Sequence, residues 1–436
     1  MTEALTRTRV LAIAIPIVIS NATIPILGAV DTAVVGQMGL AAPIGAVGIG
    51  AVILASVYWI FGFLRMGTTG LAAQALGAGD VPETGALLMR GLMIAGGSGL
   101  VLIAGQVALF AGAFALAPAS VEVEGLARSY LAIRVWGAPA AIAILALTGW
   151  LIALERTRAV LGLQLWMNGV NVVLNLWFVL GLGWGVQGVA AATLVAEWTA
   201  LGVGLWLCRA AFAGDQWRDW ARVFDPARLR RMGEVNGNIL IRSVLLQTTT
   251  ISFMFLGARY GDVTLAANQV LLQFLAVTAY ALDGFAFAVE ALVGQAAGGR
   301  NRARLRRSAV LASEPAALLS LVLAGAFWFA GPVLIDVMTT SESVRDEARR
   351  YLPWMVALPV ISVASYMLDG IFIGATRTRE MRDAMLISTA IYFAAVAALA
   401  PFWGNHGLWA ALMVLNVARA VTLGLRYPKL EAAAEA

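Results

Sequence analysis

Apolar runs of roughly twenty to thirty residues follow one another along almost the whole chain, separated by short polar or glycine-rich connections. A bilayer core about 30 Å thick takes about 20 apolar residues as helix, so runs of this length predict membrane spans. About twelve are expected. In the first half they cover 8–37, 43–76, 85–112, 125–154, 159–181 and 186–210, and in the second 232–257, 264–297, 306–335, 347–375, 382–402 and 406–426. Only helices and closed barrels satisfy their own backbone groups in lipid, and these runs are too long and too unalternating for barrel strands. The fold class is therefore an all-α polytopic membrane protein. The first run begins after Arg7 and Arg9 and reaches about Gln37 without a small-residue cleavage site, so it is expected to stay as the first span and no signal peptide is expected.

The longest polar connection, Gly214 to Arg231, contains Trp217, Trp220 and Asp225-Pro226 and suits a segment on the cytoplasmic lipid surface. It divides the chain into an N-terminal six-helix lobe at 1–213, an inter-lobe linker at 214–231 and a C-terminal six-helix lobe at 232–436. The halves repeat one another. Gly62-Phe63 followed by Gln74 and Gly77-Ala78-Gly79-Asp80 parallels Gly284-Phe285 followed by Gln295 and Gly298-Gly299-Arg300-Asn301. Gly36 through Leu40-Ala41-Ala42 likewise parallels Gly257 through Leu265-Ala266-Ala267. With an even number of spans in each half, the repeat is of the parallel kind, and two pseudo-symmetric lobes around a central cavity are expected.

Composition excludes a water-soluble surface: 61% of residues are hydrophobic, 13% are charged and the mean hydropathy is +0.83. The formal charge of +5 is concentrated in alternate connections, at Glu155-Arg156-Thr157-Arg158, Arg209 to Arg231, Arg300 to Arg307 and Arg377-Thr378-Arg379. The connections near Gly39, Ala117, Gly183 and Asn405 are nearly free of basic residues. By the positive-inside rule the basic set is cytoplasmic, which places both termini inside and suits a bacterial inner membrane. Arg345, Arg349 and Arg350 fall on the opposite side, but alternate with Glu342, Asp346 and Glu347 as an amphipathic entry into a helix. Lipid distribution of charge leaves no need for nucleic acid, and a monomer in contact with membrane lipids is expected. A single Cys208 and a single His406 exclude a disulfide framework and leave little material for a metal site or imidazole catalysis. Cys208 is read as an apolar filler at a helix end and His406 as a solvated loop residue.

Ionisable groups inside spans cost roughly 2.5–3.5 kcal/mol on insertion scales, so each needs a partner or a function. Asp31 lies in the outer part of the first span. Asn175 on span five and Thr193 on span six fall at its depth, and Asn171 and Glu197 lie one turn deeper on the faces of Asn175 and Thr193. A carboxylate in this layer can take up and release a proton. Pro16 and Pro25 in the same span each remove a backbone bond and predict bends that protonation of Asp31 would control. In the second half Arg242 on span seven, Asp283 and Glu290 on span eight and Asp369 on span ten lie at comparable depth. Pairing of Arg242 with one or more of these acids would offset burial, as an inner gate or, preferably, a fixed structural knot. Met254, Met355 and Met367 are candidate cavity liners, although lipid-facing packing is the expected role of most methionines.

Phe63-Leu64-Arg65-Met66-Gly67-Thr68-Thr69-Gly70-Leu71, Ala281-Leu282-Asp283-Gly284-Phe285-Ala286 and Leu368-Asp369-Gly370-Ile371-Phe372-Ile373-Gly374-Ala375-Thr376-Arg377 resemble the DinF-like branch of the multidrug and toxic compound extrusion (MATE) family. The similarity covers nearly the whole chain. It implies that the cavity is V-shaped and that amphipathic, often cationic, compounds are exported in exchange for protons or sodium. It also implies a coupling acid at Asp31, polar helpers at Asn171, Asn175 and Thr193, and a bend at Pro16. Many relatives carry Asp where this chain has Asn175, which places more weight on Asp31. Sodium-coupled relatives use an acid on span seven whose counterpart here looks like Gln247, a departure that favours protons.

Two other readings compete. A lipid-linked flippase would need a strongly cationic cavity, for which Arg65, Arg134 and Arg242 are the few candidates. A membrane enzyme would need clustered catalytic groups at one interface, and neither a catalytic residue nor a cofactor beyond the coupling ion is expected. The expected function is a proton-coupled secondary efflux antiporter.

Overall fold

The computed structural model describes residues 5–37, 40–116 and 120–435; Gly39 and Ala117, which mark two of the sparsely charged connections, lie outside the described residues. Among the described residues the chain is helical without a strand. The first half holds α1 (Arg7–Ala22), α2 (Ile24–Gly36), α3 (Ala41–Ile60), α4 (Gly62–Gly77), α5 (Val81–Ala104), α6 (Gln106–Leu116), α7 (Val121–Arg134), α8 (Ala138–Ala153), α9 (Thr157–Asn175) and α10 (Gly185–Leu207). After a short α11 (Trp220–Val223) come α12 (Pro226–Gly257), α13 (Asp262–Gly298), α14 (Arg302–Met338), α15 (Glu342–Gly374), α16 (Thr378–Trp403), α17 (Asn405–Gly424) and α18 (Tyr427–Ala433). Among the described residues eleven stretches, from Ala41–Gly77 to Asn405–Ala433, are long and apolar enough to cross a membrane. The first expected span exists as α1 and α2, of 16 and 13 residues, divided at Thr23. With it the expected twelve are accounted for.

By their contacts the residues form two compact units, one of 19–72 with 80–230 and one of 1–18, 73–79 and 231–436. We call them the N-terminal and C-terminal units. Residues 5–18 and 73–79 thus group with the second half of the chain. Each unit has its own apolar core. In the N-terminal unit Val35, Leu54, Phe110, Tyr130, Leu131 and Val189 pack together, and in the C-terminal unit Phe253, Phe274, Phe327, Tyr392 and Trp409 do so.

The internal repeat extends to backbone detail. Asp80 accepts a hydrogen bond from the Glu83 N–H and caps α5, while its counterpart Asn301 accepts from the Arg304 N–H and caps α14. One residue earlier, Gly79 and Arg300 both take the left-handed conformation, with φ of 75° and 51°. Within the C-terminal unit the matched Gly77 and Gly298 sit where α4 and α13 cross. A Cβ on either would stand 2.0 Å from a carbonyl oxygen, that of Gln295 or Gln74 respectively. Glycine is required there because the two backbones touch.

The linker, which holds the short α11 and the first turn of α12, is tied down by side chains. Arg90 on α5 donates to the Val223 and Arg222 carbonyls at 2.8 and 2.6 Å and to Glu83 at 2.7 Å. Arg222 pairs with Asp80 at 3.0 Å, and Arg228 bonds Glu83. Asp225 caps α12 by accepting from the Arg228 N–H, and that bond holds its carboxyl below the usual carboxylate range. Trp220 and Phe224 stack at 5.9 Å and are half exposed. The arginines around 345 have partners, as the amphipathic reading requires: Arg349 bonds Asp336 at 2.6 Å.

One smaller expectation fails. His406 is no solvated loop residue, because the turn at Gly404, with φ of 56°, starts α17 at once. Its Nδ1 accepts from Trp354 at 3.0 Å and its ring packs on Tyr351. Met355 and Met367 are buried in the interior, 0% and 3% exposed. Cys208 is buried at the end of α10, where an apolar filler was expected.

Candidate functional site

In the N-terminal unit α9 brings the polar layer together. Gln164, Asn168, Asn171 and Asn175 are spaced by four, three and four residues, which places them on one face of a helix. Asn175 ends the α-helix where a turn of π-helix, Leu176–Gly181, begins. Such widened turns recur at functional sites. The Asn175 amide donates to Asp31 at 2.6 Å and to the Asn171 carbonyl oxygen at 2.8 Å, and the Asn171 amide donates to Thr193 at 2.8 Å. Thr193 in turn donates to the Val189 carbonyl on its own helix. Asp31, Asn175, Asn171 and Thr193 therefore form one continuous chain of hydrogen bonds. Asn171 and Asn175 are fully buried, while Asp31 is half-buried.

Glu197, one turn beyond Thr193 on α10, turns elsewhere. Its two oxygens receive both terminal nitrogens of Arg134 on α7, at 2.7 and 3.0 Å. This planar two-bond geometry is the strongest form of carboxylate pairing. Gly137 makes room for it, since a Cβ there would stand 2.1 Å from a Glu197 oxygen. Arg134 remains within electrostatic reach of Asp31, so the ion pair borders the layer without bonding to it. Three buried polar atoms of this region have no hydrogen-bond partner: Tyr58 Oη, Arg134 Nε and Asn175 Oδ1.

The first span is interrupted at Thr23. Its hydroxyl donates to the Ser20 carbonyl at 2.7 Å and accepts from the Asn168 amide at 2.9 Å. Pro25 occupies the first turn of α2, where no backbone N–H is needed, whereas Pro16 lies inside an unbroken α1. The same face of α9 thus holds both the interruption, through Asn168, and the carboxylate, through Asn175. Neither Thr23 nor Asn168 was singled out from the sequence, although the four-residue spacing of amides along span five is visible there.

In the C-terminal unit Asp369 accepts from both Arg242 and Arg419. Arg419 also donates to Asn416 at 3.2 Å and lies over the ring of Tyr366. Asp283 is within electrostatic reach of Arg419 and Tyr366. Glu290 is 1% exposed two turns further along α13, with its backbone carbonyl against Gly374. The expected pairing of Arg242 is present with Asp369, and Arg419, on the last long helix, completes it. Among the described residues no group of three or more His, Cys, Asp or Glu side chains is placed to hold a metal ion.

A family model described as MatE matches residues 16–177 and 239–399. The chain is 38% identical over 416 residues to the DNA damage-inducible protein F of Escherichia coli K12, spanning 94% of this chain and 90% of that one. It is 27% identical over 425 residues to a probable multidrug resistance protein NorM of a Synechococcus species, spanning 92% and 89%. Among solved structures, a mutant form of the Vibrio cholerae MATE transporter VcmN aligns with a TM-score of 0.87 at 18% identity, covering 97% of this chain and 96% of that one.

Proposed function

This chain belongs to the MatE family, on its DinF-like branch, and from that premise we propose that it is a secondary active efflux transporter that exchanges amphipathic, often cationic, compounds for protons at Asp31. The observation that carries the reading is the position of Asp31 inside the first span, beyond an interrupted helix and bonded at 2.6 Å to an amide. As a carboxylate Asp31 accepts from the Asn175 N–H. Once protonated it has an O–H to donate, and the Asn175 carbonyl oxygen, buried and without a partner, is the acceptor within reach if the amide turns over. That turn takes the amide N–H away from Asn171 as well. Protonation would therefore be felt along Asn171 and Thr193 and, through α9, at the Asn168 bond to Thr23, where α2 can change direction relative to α1.

In this reading Glu197 is held to Arg134 and serves the layer through its field. The Arg242–Asp369–Arg419 group acts as a knot fixing α12, α15 and α17. A flippase would need free cationic groups, whereas Arg134 and Arg242 are each bonded to a carboxylate. The protein is proposed to work as a monomer in a bacterial inner membrane with both termini cytoplasmic. Proteoliposomes loaded with an amphipathic cation and given an outwardly or inwardly directed pH gradient, or a sodium gradient, test the proposal. Efflux is expected under the pH gradient alone and is expected to disappear in Asp31→Asn with insertion retained. Equal transport by that variant would remove Asp31 from the mechanism, and transport driven by sodium alone would replace the proton.

A further inference from the structure

The start of α14 carries a basic cavity that neither the Asp31 layer nor the Asp369 knot uses. It has a volume of about 580 Å³ and is lined by Arg302, Arg306, Arg307, Val310, Leu311, Glu431 and Glu435. Its shape follows from the chain. The left-handed Arg300 and the Asn301 cap turn α13 into α14, and α18 returns alongside. Arg302 is neutralised there, by Glu431 at 3.2 Å and Glu435 at 3.6 Å. Arg306 and Arg307 are exposed and enter no salt bridge among the described residues.

Below these two guanidinium groups the surface becomes apolar. Val310, Leu318, Leu321, Val322 and Phe329 are 48%, 64%, 59%, 58% and 82% exposed. At about 3.6 residues per turn they fall within about a third of the circumference of α14, within a stretch that qualifies as a membrane span. The acid on that side, Glu314, is paired with Arg7 at 2.7 Å and does not oppose an anion. Two free guanidinium groups above a lipid-facing apolar track match one kind of molecule. A guanidinium receives phosphate oxygens in pairs, and the track must be covered by hydrocarbon wherever the helix crosses the bilayer. A soluble anion would use only the first of these features.

We propose that this cavity binds an anionic phospholipid, its phosphodiester on Arg306 and Arg307 and one acyl chain along the Val310 to Phe329 side of α14. The site would fix the base of α14 and the docked α18 to the leaflet on the basic side. The test is native mass spectrometry of the full-length protein released from micelles that contain equal phosphatidylglycerol and phosphatidylcholine with identical chains. Wild type is expected to retain phosphatidylglycerol over phosphatidylcholine by about thirtyfold, the ratio two interfacial arginines supply. Arg306→Gln with Arg307→Gln is expected to lose the preference. Arg377→Gln with Arg379→Gln, which removes the same charge from another connection, is expected to keep it. Unchanged retention in the first double variant overturns the proposal, as does an equal loss in the second, which would mean general surface charge. Displacement of the lipid by inorganic phosphate or by the chain-free glycerophosphoglycerol head group would overturn it too, by assigning the cavity to a free anion.

Discussion

At the residue scale, the Arg134–Glu197 pair decides how the polar layer is framed. Both side chains are at least nine-tenths buried, and a buried pair behaves asymmetrically on mutation. Removing one partner strands the other charge, at a cost of about 3–5 kcal/mol, whereas removing both is often close to neutral. Glu197→Gln is therefore expected to lower the thermal unfolding midpoint in detergent sharply, and Glu197→Gln combined with Arg134→Met to recover most of the loss. A double variant as unstable as the sum of its parts would show that the two side chains are not coupled. The helical period places Asn171 and Asn175, and Thr193 and Glu197, on shared faces from sequence alone, and three of these four do join Asp31. Glu197 does not, because a period fixes the angle of a side chain around its own helix and says nothing about which neighbouring helix offers the better partner. Arg134 is 63 residues away, and no local pattern connects the two.

At the element scale, the connections between helices carry the clearest imprint of the repeat, and one of them is imperfect. Gly79 and Arg300 take the same left-handed conformation, but only the glycine does so without steric cost; an L-residue loses about 1–2 kcal/mol there. Arg300→Gly is expected to raise stability by about 1 kcal/mol, read as a higher unfolding midpoint. Gly298→Ala is expected to lower it by about 1–3 kcal/mol or more, since its Cβ has nowhere to go against the Gln74 carbonyl. A null effect of Arg300→Gly would mean that the extra freedom of glycine in the unfolded chain cancels the gain. The glycine matches were legible as a repeat; that they mark a helix crossing was not, since contact between distant segments leaves no local signature. The first span shows a related limit. Proline removes a backbone bond, which directs attention to Pro16 and Pro25, yet α1 continues through Pro16 and stops at Thr23. Losing one bond inside a helix costs less in lipid than ending it, and the end falls where the Thr23 hydroxyl can donate to the freed Ser20 carbonyl and the Asn168 amide to the Thr23 carbonyl.

At the scale of the whole molecule, hydropathy and the repeat were enough to count the spans and to match the halves, because both are set by bilayer thickness and by local composition. The linker was legible only as a polar interruption with exposed aromatics. Its attachment depends on Arg90, a basic residue in the first turns of a span that carried no motif. That residue is 2% exposed and supplies three bonds, two of them to linker carbonyls. Hydrogen bonds to a charged group contribute about 1.5–3 kcal/mol each, so Arg90→Met should free the segment between Arg218 and Arg231 without unfolding either unit, each of which keeps its own core. Limited trypsin digestion in micelles reads this directly, because Arg218, Arg222 and Arg228 all lie in the segment. Cleavage into two fragments of similar size is expected at a rate raised by about tenfold or more, as opening becomes cheaper by at least 1.4 kcal/mol. Fragments arising elsewhere would mean that Arg90 holds the base of α5 rather than the linker. An unchanged rate would mean that the Arg222–Asp80 and Arg228–Glu83 pairs suffice to hold the segment in its place.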